Sequence, residues 1–113
     1  MTPDEQDRIR RRIQRRLAQL GRTADSVADR LHSRGIRGHI LNASQCPIAR
    51  YLTQKDPDWL FSVSQSSLYM VPRHRQAEGL RVPLPRGASA FVSAFDHGHY
   101  PHLASGPAPR TDA

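Results

Sequence analysis

The sequence predicts a small α+β domain, and three features of its pattern indicate this fold class. Apolar residues recur at helical spacing in the first third of the chain and again after residue 85. Between these regions, from Trp59 onward, the spacing changes to the alternation that is typical of strands. The 113 residues have room for one hydrophobic core rather than two. We therefore expect a single domain over residues 1–103 and a flexible tail over residues 104–113.

Two helices are predicted at the N-terminus, joined by a short turn at Gly21. The segment "TPDE" opens the first helix, because Thr2 can cap it and Glu5, three residues later, completes a capping box. Gly21 follows the last periodic apolar residue, so we expect this helix over residues 3–20. Thr23 can cap a second helix directly afterwards. The two helices then form an N-terminal helix hairpin.

A short third helix, an antiparallel sheet and a C-terminal amphipathic helix are predicted in the remainder of the chain. Cys46 can cap the third helix in "CPIARYL", which "KDPD" ends. Alternation from Trp59 and again in "LYMV" predicts a hairpin, and "LRVPL" can add a third strand at the edge, where Pro83 is tolerated. Phe91 and Phe95 lie four residues apart in the last apolar group, which predicts a helix. The core is expected to contain Ile13, Leu17, Leu20, Val27, Leu31, Ile48, Leu52, Trp59, Phe61, Val63, Leu68, Met70, Phe91, Val92 and Phe95.

The chain is strongly basic, and arginine provides nearly all of the positive charge. Its 17 basic residues exceed its 10 acidic residues, which gives a net charge of +7, and Lys55 is the single lysine. This balance favours acidic partners, namely nucleic acid, an anionic membrane surface or an acidic protein. No stretch reaches the roughly 18 apolar residues of a membrane span, and the acidic N-terminus does not resemble a signal peptide. We therefore expect a cytoplasmic protein.

The positive charge is densest in the first helix, within "RIRRRIQRRLAQL". At about 100° per residue, the aliphatic residues of this segment form a narrow stripe and most of its arginines lie away from it. Guanidinium groups can bind phosphate through two parallel hydrogen bonds. The predicted nucleic-acid-binding residues are five arginines of this helix, here called the arginine ridge, and two of the "PRHR" loop: Arg8, Arg11, Arg12, Arg15 and Arg16, then Arg73 and Arg75.

Two other interpretations of the first helix remain open at this point. Charged runs are commonly solvated helix faces, and Asp4–Arg8 and Asp7–Arg11 have the spacing of local ion pairs. The aliphatic stripe is also long enough to pack against a partner helix. Gly21 and the apolar residues of the second helix have the spacing of a helix–turn–helix motif. Asp25 and Asp29 on the second helix would repel phosphate, so an ordinary helix hairpin is favoured.

Cys46 and a group of histidines are the candidates for chemical reactivity or metal binding. A helix N-terminus can stabilise a thiolate, which makes Cys46 a candidate reactive thiol, although a cap or core role is favoured. His97, His99 and His102 lie together in "DHGHYPHL" and are candidate metal ligands, but this segment crosses a predicted helix end. No catalytic or cofactor motif accompanies these residues, so we expect no metal and no cofactor.

These features favour a small accessory protein that binds nucleic acid through the arginine ridge with little sequence specificity. No aromatic residue accompanies the ridge, which predicts binding that tolerates a duplex and does not involve base stacking. The alternative is a regulatory or structural module that binds an acidic protein or a second copy of itself. A small enzyme is the third hypothesis, and the absence of a catalytic motif disfavours it.

Overall fold

The computed structural model describes residues 1–105, and its helices begin at the capping residues that the sequence indicates. Thr2 forms a capping box with Glu5, Thr23 forms another with Ser26, and Cys46 caps the third helix. The helices are α1 (Pro3–Leu20), α2 (Ala24–Ser33), α3 (Pro47–Lys55) and α4 (Arg86–Asp96), followed by a 3-10 turn (Pro101–Leu103). Local hydrogen bonds at the caps thus determine where each of the first three helices begins.

The strands β1 (Trp59–Val63), β2 (Ser67–Pro72) and β3 (Leu80–Pro83) form an antiparallel sheet in the order β1-β2-β3. The predicted third strand is therefore present, and Pro83 lies on an edge strand as expected. Side chains alternate between the two faces, so that Phe61 and Met70, which are cross-strand partners, are buried together. The opposite, outer face of the sheet exposes Leu60 and Tyr69.

One hydrophobic core lies between the inner face of the sheet and the helices. Every residue of the predicted core is buried, and the core also includes Tyr51, Leu80, Val82 and Leu103. α1 contacts β3 and α4, α2 packs mainly along α4, and α3 lies beside β1. The predicted α+β domain, with its helix hairpin, short third helix, antiparallel sheet and C-terminal helix, is confirmed. None of the helices within residues 1–105 is long and apolar enough to cross a membrane.

The end of the described chain is attached to the loop that follows α2. Gly38 donates a hydrogen bond from its backbone nitrogen to the Leu103 carbonyl at 2.8 Å, and Ser105 donates to the Gly38 carbonyl at 2.9 Å. Ala104 pairs with Gly38 in an isolated β-bridge. Two residues of the predicted tail, Ala104 and Ser105, thus contact the domain, and the other residues of that tail, 106–113, lie outside the described residues.

Candidate nucleic-acid interface

The aliphatic stripe of α1 is directed into the core of this chain. Ile13, Leu17 and Leu20 are buried, and Ile9 packs against them while half-buried. The stripe is therefore not open to a partner helix, and the interpretation that it pairs with one is corrected by this packing. The opposite side of α1 faces solvent, so the arginine ridge lies at the surface.

Two arginines of the ridge contact a carboxylate that is distant in sequence. Arg16 Nε donates a hydrogen bond to Asp56 Oδ2 at 2.8 Å. Arg12 Nε lies 3.3 Å from Asp56 Oδ1, without the alignment of a hydrogen bond. The Asp56 side chain is only 11% exposed, so these ion pairs are partly shielded from water. Arg12 and Arg16 thus connect α1 to the end of α3.

The remaining three arginines of the ridge, Arg8, Arg11 and Arg15, are exposed. Within residues 1–105, none of the three has a carboxylate within ion-pair distance. Asp7 contacts Arg10 at 3.7 Å instead, and Arg11 Nε donates to the Asp7 backbone carbonyl at 3.4 Å. The Asp4–Arg8 and Asp7–Arg11 side-chain pairs that the spacing allows are therefore not formed. Arg11 and Arg15 border a shallow hollow of about 430 Å³ on the outside of α1.

The two arginines of the "PRHR" loop have different surroundings. Arg73 is fixed by two hydrogen bonds, from its backbone nitrogen to the Asp58 carbonyl at 2.8 Å and from Nε to the Pro57 carbonyl at 3.0 Å. The positive charge of Arg75 has a minor effect on Glu5, in the first turn of α1. The pKa of Glu5 is lowered chiefly by hydrogen bonds from Thr2, and the positive charge of Arg75 lowers it further. Arg75 therefore lies within electrostatic range of the first turn of α1.

Arg73 belongs to a second basic surface, a groove between α3 and the outer face of the sheet. We call it the α3–sheet groove; its volume is about 610 Å³. Arg50 and Gln54 line it from α3, and Leu60 and Tyr69 line it from β1 and β2. Sequence analysis did not single out this site, although the alternation of β1 and β2 already directs Leu60 and Tyr69 away from the core. What the pattern could not show is that α3 lies beside them.

Function has to be inferred from the geometry and charge of this chain. No protein-family model, no curated protein and no solved structure matches it.

Cys46 is buried at the N-terminus of α3. Its Sγ accepts a hydrogen bond from the Ala49 backbone nitrogen at 3.4 Å. Burial raises the pKa of the Cys46 thiol to about 11, and the hydrogen bonds from backbone N–H groups of α3, which lower it, do not compensate. The thiol is thus protonated at neutral pH, and the geometry favours the cap and core interpretation over a reactive thiol.

The three candidate histidines are not brought together. His97 Nδ1 lies 2.7 Å from the Ser93 carbonyl, at the end of α4. The His102 ring packs edge-on against His32, with 5.0 Å between ring centroids, whereas His99 lies next to Tyr100. Within the described part of the chain, no three His, Cys, Asp or Glu side chains are positioned to hold a metal ion.

Proposed function

We propose that this protein binds nucleic acid through phosphate contacts from the exposed face of α1, with little preference for sequence. The proposal rests on one observation: Arg8, Arg11 and Arg15 lie on the same exposed face of α1 and have no carboxylate partner within residues 1–105. Guanidinium groups that are not engaged by acids can form bidentate hydrogen bonds with phosphate oxygens. The net charge of +7 adds long-range attraction to a polyanion.

The spacing of these arginines suits contacts along a phosphate backbone. Positions 8, 11 and 15 are separated by three and four residues, so they follow one side of the helix. With a rise of about 1.5 Å per residue, the row is roughly 10 Å long, which corresponds to about three base pairs of a duplex. Contacts of this kind position a protein on a duplex without reading its bases.

Of the five α1 arginines of the ridge, we propose only Arg8, Arg11 and Arg15 as phosphate contacts. Arg12 and Arg16 contact Asp56, so a phosphate would have to displace an existing ion pair before it could bind them. Their proposed role is to hold α1 in place. Arg75, within electrostatic range of the start of α1, is proposed to add to the attraction of this surface for phosphate.

Salt-dependent binding of a labelled duplex tests this proposal. We expect fluorescence anisotropy to show binding of random-sequence duplex DNA that weakens steeply between about 50 and 200 mM salt. The variant Arg8→Ala/Arg11→Ala/Arg15→Ala is expected to lose at least about ten-fold in affinity for every sequence. It should also flatten the plot of log K against log salt by about 0.9 for each phosphate that the variant no longer neutralises.

A charge-matched variant separates the α1 face from net charge. Arg22→Ala/Arg30→Ala/Arg86→Ala removes three exposed arginines outside α1 and lowers the net charge equally. This control should keep most of the wild-type affinity and the wild-type salt slope. Equal losses in the two triple variants would mean that only the overall charge matters. No duplex binding by the wild type at low salt would reject the proposal.

A further inference from the structure

We infer that the α3–sheet groove binds single-stranded nucleic acid, with a base stacked on Tyr69 and the backbone phosphates beside Arg50, Arg73 and Arg81. This inference rests on the proposed function and extends it. It assigns a second surface of the protein, separate from the face of α1, and it names the form of nucleic acid that this surface takes.

The floor of the groove is the outer face of β1 and β2. In the sheet register Ser62 is opposite Tyr69 and Leu60 is opposite Val71, so these four side chains form two adjacent rows. α3 forms one wall, from which Arg50, Thr53 and Gln54 line the groove. A volume of about 610 Å³ lies within the range of pockets that hold small organic ligands, so a nucleotide unit fits.

Tyr69 is placed as a stacking platform. Tyr69 is 47% exposed on the sheet, whereas the other aromatic residues of the strands, Trp59 and Phe61, are buried. The ring lies against Gly79, and a Cβ at that position would collide with the Cζ and hydroxyl oxygen of Tyr69. The absence of a side chain at Gly79 therefore makes room for the Tyr69 ring. Exposed aromatic rings on a sheet commonly bind unpaired bases by stacking.

The charge of the groove matches a polyanion. Arg81 is the cross-strand partner of Tyr69, and Arg50 and Arg73 line the groove itself. Hydrogen bonds orient all three side chains, from Arg50 Nη2 to Gln45 Oε1 at 3.3 Å, from Arg73 Nε to the Pro57 carbonyl, and from Arg81 Nη1 to Ser67 Oγ at 3.4 Å. Among the described residues that line the groove, none is acidic.

The chemistry of the lining favours a single strand over a duplex. Tyr69 can stack only on a base whose face is exposed, and the bases inside a duplex are covered by their neighbours. Hydroxyl and amide groups of Ser44, Ser62, Thr53 and Gln54 can exchange hydrogen bonds with base edges. The same groups do not define one sequence, so we expect a modest preference only.

Binding of short labelled oligonucleotides to variants of Tyr69 tests the inference. The probes are a 12-nucleotide oligo(dT), a 12-nucleotide oligo(U) and a duplex of the same length. Tyr69→Ala should weaken binding of the single strands by about ten-fold, because it removes the stacking surface. Tyr69→Phe keeps the ring and should bind within about two-fold of the wild type. Neither substitution should change duplex binding, and thermal melting checks that both variants are folded.

The two arginine surfaces then give opposite patterns. Arg8→Ala/Arg11→Ala/Arg15→Ala should weaken the duplex more than the single strands, whereas Arg50→Gln/Arg73→Gln should weaken the single strands more than the duplex. Comparison of oligo(dT) with oligo(U) shows whether the groove prefers DNA or RNA. Either preference supports the inference, provided that Tyr69→Ala abolishes that preference.

The outcomes also separate failure of the inference from failure of the proposed function. Duplex binding that depends on α1, together with single-strand binding that is equal in Tyr69→Ala and the wild type, would overturn the inference alone. A wild type that binds neither probe would overturn both. Polyglutamate is a polyanion without bases. If it binds the wild type and the groove variants as tightly as oligo(dT) does, the inference is overturned, because the protein would then attract any polyanion.

Discussion

Arg16 Nε donates a hydrogen bond of 2.8 Å to Oδ2 of Asp56, a residue forty positions later in the chain. Asp56 directly follows α3, and its other carboxylate oxygen lies 3.3 Å from Arg12 Nε. One partly buried carboxylate therefore holds two arginines of a helix whose charge, from sequence alone, is expected to be available for phosphate. The arginine-rich segment thus has two roles: part of it links α1 to the end of α3 through Asp56, and part of it is exposed.

The substitution Asp56→Asn should destabilise the fold. It leaves two guanidinium groups without their counter-charge at a site that is partly shielded from water. We expect the free energy of unfolding to fall by about 1–2 kcal/mol. Urea denaturation at low ionic strength measures this change. The control is Asp58→Asn, which removes the same charge from an exposed residue two positions away and should change stability by less than about 0.5 kcal/mol. Similar losses in both variants would contradict a specific role for Asp56.

The Cys46 thiol should be unreactive in the folded protein. Because its pKa is raised to about 11, very little thiolate is present at pH 8, and burial also restricts access of reagents. We expect labelling by a disulfide reagent at pH 8 to be slow in buffer and fast in denaturing urea. Fast labelling under native conditions would revive the reactive-thiol interpretation.

The same shift predicts a pH dependence of stability. The folded-state pKa of Cys46 lies above its ordinary value of 9.0, so folding favours the protonated thiol. This contribution is complete below about pH 9 and is lost as the pH rises through 9 toward 11. Urea denaturation at pH 8 and pH 10 should show the decrease in the wild type and a smaller decrease in Cys46→Ala.

Tyr100 should ionise later than an ordinary tyrosine. Its hydroxyl donates a hydrogen bond to Asp25, which raises the pKa of Tyr100 to about 12 from an ordinary value of 10.0. The folded state therefore favours the protonated phenol, and this stabilisation is lost as the pH rises from about 10 to 12. Absorbance titration near 295 nm should show a late step that is missing in Tyr100→Phe and shifted to lower pH in Asp25→Asn. An unchanged late step in Asp25→Asn would mean that the hydrogen bond is not its cause.

The sequence by itself determined the elements of this protein and their inward faces. Caps act within a few residues, so Thr2 and Thr23 mark helix starts without knowledge of the rest of the fold. Periodicity is equally local, and it identifies the buried positions of α4 and of the strands, such as Phe91 and Met70. The alternation of residues in β2 likewise indicates that the Tyr69 side chain points away from the core.

Only the tertiary structure decided which charged side chains are available to a partner. Arg12, Arg15 and Arg16 look equivalent along the helix, but the packing of α3 brings Asp56 against the first and the last of them. The α3–sheet groove likewise exists because α3 lies beside β1, which places Arg50 near Tyr69. These relationships join residues far apart in sequence, and their distances depend on how the whole core packs. Local hydrogen bonding and periodicity therefore cannot predict these long-range contacts.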